Sequence, residues 1–129
     1  MLRMFFALPL LLTACQPDET VSAYANPQAI YRLTEIDAAL VSFRATMRFA
    51  DAQKVKGEGP CNIYSARLAT PYPWFELDQL VVTERACAGL RQEQVYLDAL
   101  AAMELAEVSG PSLVLTNDAG REMVFLAEN

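Results

Sequence analysis

The chain has 129 residues, enough for one small domain. It carries a formal charge of −6 and no histidine. The missing histidine excludes Ser-His-Asp and Cys-His catalysis and any histidine-ligated metal site. The acidic balance opposes binding to a phosphate backbone, so no nucleic-acid partner is expected.

The first element in chain order is a short leader. Met1-Leu2-Arg3 supplies one positive charge, and Met4 to Leu12 is apolar. A membrane-spanning helix needs about 20 apolar residues, so a run this short reads as a signal-peptide core. Leu12-Thr13-Ala14-Cys15 resembles the lipobox of bacterial lipoproteins, in which the cysteine is acylated and becomes the first residue after cleavage. The resemblance implies a signal peptide over residues 1–14 and lipidation of Cys15. The polar stretch that follows, with Pro17 and Pro27, reads as a flexible tether over residues 15–28. Cleavage leaves nine basic residues against 16 acidic ones, a formal charge of −7. Such a domain is repelled by anionic headgroups and is expected to be held off the membrane on its tether. By the same resemblance to bacterial lipoproteins, Gln16 in place of an aspartate at that position implies sorting to the inner leaflet of the outer membrane, facing the periplasm.

The globular part is expected over residues 29–129. Ala29 to Ile36 reads as a first strand. Phe43, Ala45, Met47 and Phe49 alternate with Arg44, Thr46 and Arg48, the pattern of a half-buried strand. Lys54 to Gly57 is its expected partner across a turn at Asp51-Ala52. Cys61 to Ala69 follows as a strand with Tyr64, Ala66 and Leu68 on one face. Trp74 to Leu77 and Leu80 to Thr83 read as two short strands around Asp78-Gln79. Leu90 to about Leu105 is the one expected helix, with Leu90, Glu93, Leu97, Leu100, Ala101 and Glu104 sharing a side. Leu113 to Leu115, a turn at Asn117 to Gly120 and a return over Met123 to Leu126 make a final hairpin. Short sequential strands favour antiparallel pairing. The expected fold is α+β: a single small domain, a mostly antiparallel short-stranded sheet with one helix packed on it.

Five segments in this order resemble the META domain, the family of HslJ-like bacterial lipoproteins. They are Tyr31-Arg32-Leu33, then Pro60-Cys61-Asn62-Ile63-Tyr64, then Thr83 to Ala86-Cys87. The helix with Glu93, Tyr96-Leu97 and Leu100 follows, and the Leu113-Val114-Leu115 hairpin ends in Phe125. Tyr31 stands where the family has tryptophan, Pro60 and Ala66 where it has glycine, and Glu84 where a basic residue is common. The resemblance implies an α+β fold, an envelope setting and an association with envelope stress. It implies no reaction.

Four sets of residues are candidates for chemistry. Cys61 and Cys87 are an even pair in an oxidising compartment and read first as a disulfide. The alternative is thiol-redox work by Cys87, just before a helix N-terminus that favours a thiolate. Glu93, on the apolar side of the helix, reads as a structural carboxylate bonded to Arg85, Arg91 or backbone amides, against a catalytic acid. Asn62 reads as a backbone-bonding residue, with a ligand role as the alternative. Tyr72, Trp74 and Phe75 form a candidate recognition surface, and together with Tyr64 and Tyr96 they could instead line a pocket or pack the core.

No metal or cofactor is expected. The functional expectation is a non-enzymatic envelope lipoprotein, joined to the membrane through Cys15, with an accessory or stress-related role through contacts with another envelope protein. A binding module for a small apolar or peptide ligand and a thiol-redox protein are the alternatives.

Overall fold

Side chains on a strand alternate between two faces, and in this chain one of the two faces is apolar on strand after strand. The computed structural model describes residue 15 and residues 17–128, so the leader expected over residues 1–14 lies outside the described residues. Among the described residues, nine strands and one α-helix follow one another: β1 (Ile30–Ile36), β2 (Ala39–Leu40), β3 (Thr46–Asp51), β4 (Lys54–Glu58), β5 (Ile63–Leu68), β6 (Leu77–Val82), α1 (Leu90–Ala101), β7 (Leu105–Ser109), β8 (Ser112–Thr116) and β9 (Glu122–Glu128). All pairings are antiparallel, in the order β6-β5-β4-β3-β1-β9-β8-β7, with β2 folded back on β1.

The two ends of that path meet. Trp74, just before β6, bridges to Leu105 at the start of β7. The Phe75 N–H donates to the Glu104 carbonyl at 2.8 Å, and the Ala106 N–H donates to the Pro73 carbonyl at 2.7 Å. The sheet is thereby curled on itself. Its inward residues, among them Tyr31, Leu33, Met47, Phe49, Tyr64, Leu68, Leu113, Leu115, Met123 and Phe125, form one core. The buried side of α1 adds Tyr96, Leu97, Ala99 and Leu100 to it. Burying a side chain of this size stabilises by about 1.5–3 kcal/mol, and the core is where most of the favourable free energy resides.

Most strands fall where alternation puts them. Ala45, Met47 and Phe49 are buried, as are Tyr64, Ala66 and Leu68. Lys54 to Gly57 pairs with the preceding strand, and the final hairpin turns at Asn117 to Gly120. The result is a single small domain, mostly antiparallel sheet with one helix, and the sheet dominates more than an α+β description implies.

Three expectations are corrected. The helix stops at Ala101, four residues before Leu105, and residues 105–109 form β7. Ala99 to Leu105 contains good helix formers, but the Glu104 N–H is captured by the Thr116 carbonyl at 2.8 Å and β7 pairs along the whole of β8. Asn117 completes the stop by donating its side-chain amide to the Ala102 carbonyl at 3.1 Å. Helix propensity is a weak prior beside such pairing. Trp74 to Leu77 and Leu80 to Thr83 are not two strands about a turn. Leu77–Val82 is one strand with a bulge, where Gln79 takes φ 52° and the register against β5 shifts.

The third correction concerns the tether. Residues 18–28 are packed on the domain rather than free of it. Val21 is fully buried within a 3-10 turn, Ala25 and Ala29 are buried, and Tyr24 stacks on Tyr72 with ring centroids 4.2 Å apart. The Glu19 carbonyl accepts from the Tyr72 N–H at 2.7 Å. A polar, proline-bearing stretch reads as unstructured in the sequence because its few apolar residues carry no periodicity.

One packing contact sets a strict local requirement. Gly57 on β4 lies over the Tyr64 ring, and a Cβ there would collide with the Thr46 carbonyl and the Tyr64 hydroxyl. That hydroxyl is buried, donates to the Thr46 carbonyl at 2.7 Å, and lies 2.6 Å from the Tyr96 hydroxyl. Burial pushes both phenols well above the ordinary tyrosine range, so both stay neutral at physiological pH. Gly57→Ala is expected to destabilise the domain by about 3 kcal/mol, at the upper end for overpacking. Urea unfolding checks it, and a change below the error of the midpoint would refute the contact.

Candidate functional site

Two places in the fold collect polar side chains. The first lies where the start of β5, the segment before α1 and the first turn of α1 converge. The Cys61–Cys87 disulfide joins two of these pieces, with Cα atoms 5.8 Å apart. Glu93 is buried, and its carboxylate accepts three bonds: from the Cys61 and Asn62 N–H groups, each at 2.7 Å, and from the Asn62 side-chain amide at 2.6 Å. Burial alone would raise its pKa. The bonds from the Asn62 side chain and from the Cys61 and Asn62 amides outweigh that and hold the carboxyl below the usual glutamate range.

Asn62 is fully engaged. Its amide also donates to the Arg85 carbonyl at 3.0 Å, and its oxygen accepts from the Thr83 hydroxyl at 2.8 Å and the Arg85 N–H at 2.6 Å. Gly59 gives this junction its room, since a Cβ there would lie 2.7 Å from a Glu93 carboxylate oxygen. Of the partners expected for Glu93, it takes the backbone amides, and no ion pair with Arg85 or Arg91 forms among the described residues. The amides, fixed by the chain turn at Cys61-Asn62, are already in place, and Arg85 takes part through its peptide group instead. Every polar atom of Asn62 and Glu93 that could meet a ligand is occupied by protein. The arrangement closes a junction between three chain segments, and its chemistry is structural.

The second place is a groove of about 450 Å³ on the outward face of β3 to β6. Register places Arg48 opposite Lys56, Lys56 opposite Ser65, and Ser65 opposite Val81. The neighbouring row sets Glu58 opposite Ile63. Ile30, Ile63 and Val81 supply an apolar floor, of which Ile63 and Val81 are 59% and 65% exposed. Arg44, Arg48 and Lys56 line it with positive charge, and Glu58 is the one carboxylate among them.

Arg44 is held by Glu128 at 2.9 Å, and Lys56 lies 3.8 Å from Asp51. Arg48 makes no ion pair among the described residues. Lys54 and Arg67 stand opposite each other on the same face. Five of the nine basic residues that follow Cys15 therefore gather on the outer side of one half of the sheet of an acidic protein.

The aromatic candidates separate. Phe75 is fully buried, which corrects its place on a recognition surface: its N–H pairs with Glu104, and the strand pleat then turns the ring inward. Tyr64 and Tyr96 are core. Tyr72 is half-buried, stacked on Tyr24, and its hydroxyl accepts from the Val108 N–H at 3.2 Å. Trp74 remains 55% exposed, and Cys15 is exposed and unpaired. The groove residues escaped the sequence reading. Arg44 and Arg48 were legible as outward-facing by alternation, but nothing in the chain order said that Lys56, Val81 and Ile63 would lie beside them.

A curled antiparallel sheet with one packed helix and a disulfide-bonded Cys-Asn junction defines a class of small sheet-dominated domain. The model of the META domain family matches residues 26–129, and the chain belongs to that family. An NMR structure of a protein from Burkholderia xenovorans has the same fold, with a TM-score of 0.65 and 18% identity over 95% of this chain and 99% of that chain. No curated protein matches the chain.

Proposed function

We propose that this protein is a lipid-anchored envelope lipoprotein whose META domain is a non-enzymatic binding module, and that the groove on β3 to β6 takes an anionic partner with apolar surface. The observation that carries the reading is the concentration of Arg44, Arg48 and Lys56 around Ile30, Ile63 and Val81 on an otherwise acidic chain. Apolar contact supplies affinity there, and the charges select sign and speed the encounter. An acidic segment of another envelope protein meets both demands and would give the accessory role. The anchor reading rests on the leader, on Leu12-Thr13-Ala14-Cys15 and on an exposed Cys15. With Gln16 next to it, the assigned site is the inner leaflet of the outer membrane, facing the periplasm. Thiol-redox work is disfavoured, because the bonded pair sits within the structural junction and an unpaired Cys87 is what that role would want.

The test uses anilinonaphthalene sulfonate, which has an apolar body and one anionic group. Saturable one-to-one binding is expected, and Arg48→Glu with Lys56→Glu should weaken it about tenfold or more, since two charge reversals cost about 1 kcal/mol each. Circular dichroism controls for folding. Unsaturable binding, or equal affinity in the variant, would sink the groove reading.

A further inference from the structure

The packing of residues 18–28 changes what a lipid on Cys15 would do to the domain. Asp18 is a fixed point. Its carboxylate accepts from the Thr20 N–H at 2.9 Å, the Thr20 hydroxyl at 2.6 Å and the Ser22 hydroxyl at 3.0 Å. Val21, three residues on, is fully buried. Only Gln16 and Pro17 lie between Cys15 and Asp18. Three residues of extended chain span about 10–11 Å at most. The headgroup layer of a bilayer is about 5–8 Å deep on each side. A domain anchored through Cys15 therefore has no room to stand clear of the surface.

The face it would present there is aromatic. The Glu19 carbonyl is bonded directly to the Tyr72 N–H, and the Trp74 N–H donates to the Pro71 carbonyl at 2.8 Å, which places the turn that carries Trp74 beside Glu19, four residues along the chain from Cys15. Tyr24 is 58% exposed, Trp74 is 55% exposed, and Leu105, bridged to Trp74, is 36% exposed. Tryptophan and tyrosine favour the headgroup level of a membrane, where an apolar ring and a polar edge are both satisfied. Glu76 and Glu104 line the same hollow as Trp74, so the surface suits zwitterionic rather than anionic lipid.

The geometry points to a membrane-seating face: with Cys15 acylated, the two-residue arm holds the domain against the bilayer with Trp74 and Tyr24 at the headgroup level. This rests on the lipoprotein reading of Cys15. It replaces the expectation of a domain held off on a tether.

Trp74 is the sole tryptophan, so its emission reports its own surroundings. The experiment is quenching of the full chain, purified with its lipid and placed in phosphatidylcholine vesicles that carry a nitroxide in the headgroup or at the acyl-chain end. Intact mass is measured on the same sample. The expected result is an acylated mass, blue-shifted emission relative to a Cys15→Ser form in buffer, and strong loss of intensity from the headgroup label with little from the chain-end label. A Gly-Ser insertion of about 16 residues between Pro17 and Asp18 adds a mean span of roughly 20 Å, and should abolish the quenching with acylation intact. An unacylated mass overturns the lipoprotein reading, and the seating face with it. An acylated chain whose Trp74 emits as in buffer overturns the seating face alone. Equal quenching with and without the insertion overturns the short arm as its cause.

Discussion

Replacing Glu93 with alanine is expected to destabilise the domain by about 4 kcal/mol. Three N–H donors converge on this carboxylate from Cys61 and Asn62, and each is left unpaired when it is removed. An orphaned buried donor costs about 1–3 kcal/mol, and water entering the vacated space recovers part of the sum. Small domains are stable by about 5–15 kcal/mol, so the loss is a large share. Glu93→Gln separates charge from shape. It keeps one acceptor and puts an NH2 group against donors, and about 2–3 kcal/mol should be lost.

The pH dependence has a definite sign. Burial would raise the carboxyl, but the bonds from the Asn62 side chain and the Cys61 and Asn62 amides lower it below its unfolded value. The unfolded chain therefore takes up the proton first as pH falls. The contribution of Glu93 is complete above the ordinary glutamate range and is lost as pH drops through the folded value. Urea unfolding of wild type and Glu93→Gln at descending pH should give stability curves that converge in acid. Curves that stay parallel would mean that the carboxylate is not the group responsible.

Opening the Cys61–Cys87 bond is the second large expected effect. The cysteines are 26 residues apart, and in the chain-entropy model closing a loop of that size stabilises by about 3.5 kcal/mol. The double variant Cys61→Ala/Cys87→Ala avoids a lone thiol and should lose about 3 kcal/mol, read from the urea midpoint. The two predictions are coupled, because the Cys61 N–H is itself a donor to Glu93. The triple variant should lose less than the sum of the two effects. Strict additivity would mean that the disulfide and the carboxylate hold separate pieces of the fold. Full stability in the double variant would remove the structural role of the bond.

How far the site was readable differs from residue to residue. Glu93 stood out because a carboxylate fell on an apolar helix side, and that signal was sound. Backbone amides were among its expected partners and are the ones it takes, but which amides was not readable, since Asn62 and Cys61 lie 31 and 32 residues away. Asn62 beside Cys61 was read as a backbone-bonding residue, and it bonds backbone. Phe75 reads as surface in the sequence because prolines and aromatics surround it, yet one hydrogen-bonded bridge to β7 turns it inward. Of the groove cations, Arg44 and Arg48 were visible as outward-facing by alternation, and Lys56 only as part of the expected partner strand. Their gathering with Ile63 and Val81 was not visible, because it depends on which strands become neighbours.

By itself the sequence determined the local terms: the strands β1, β3, β5, β8 and β9, the existence of the helix, the final turn, the even cysteine pair and the acidic balance. Those follow from side-chain spacing and composition, which are properties of neighbours along the chain. Only the tertiary structure decided where α1 ends, that residues 105–109 are a strand, that the sheet closes on itself through Trp74 and Leu105, and that residues 18–28 pack on the domain. In each of these, hydrogen bonds or apolar burial between distant segments outweighed a local preference worth a few tenths of a kcal/mol per residue. The length of the arm between Cys15 and the folded body, on which the proposed seat at the membrane rests, was settled in the same way by one buried valine and one backbone hydrogen bond.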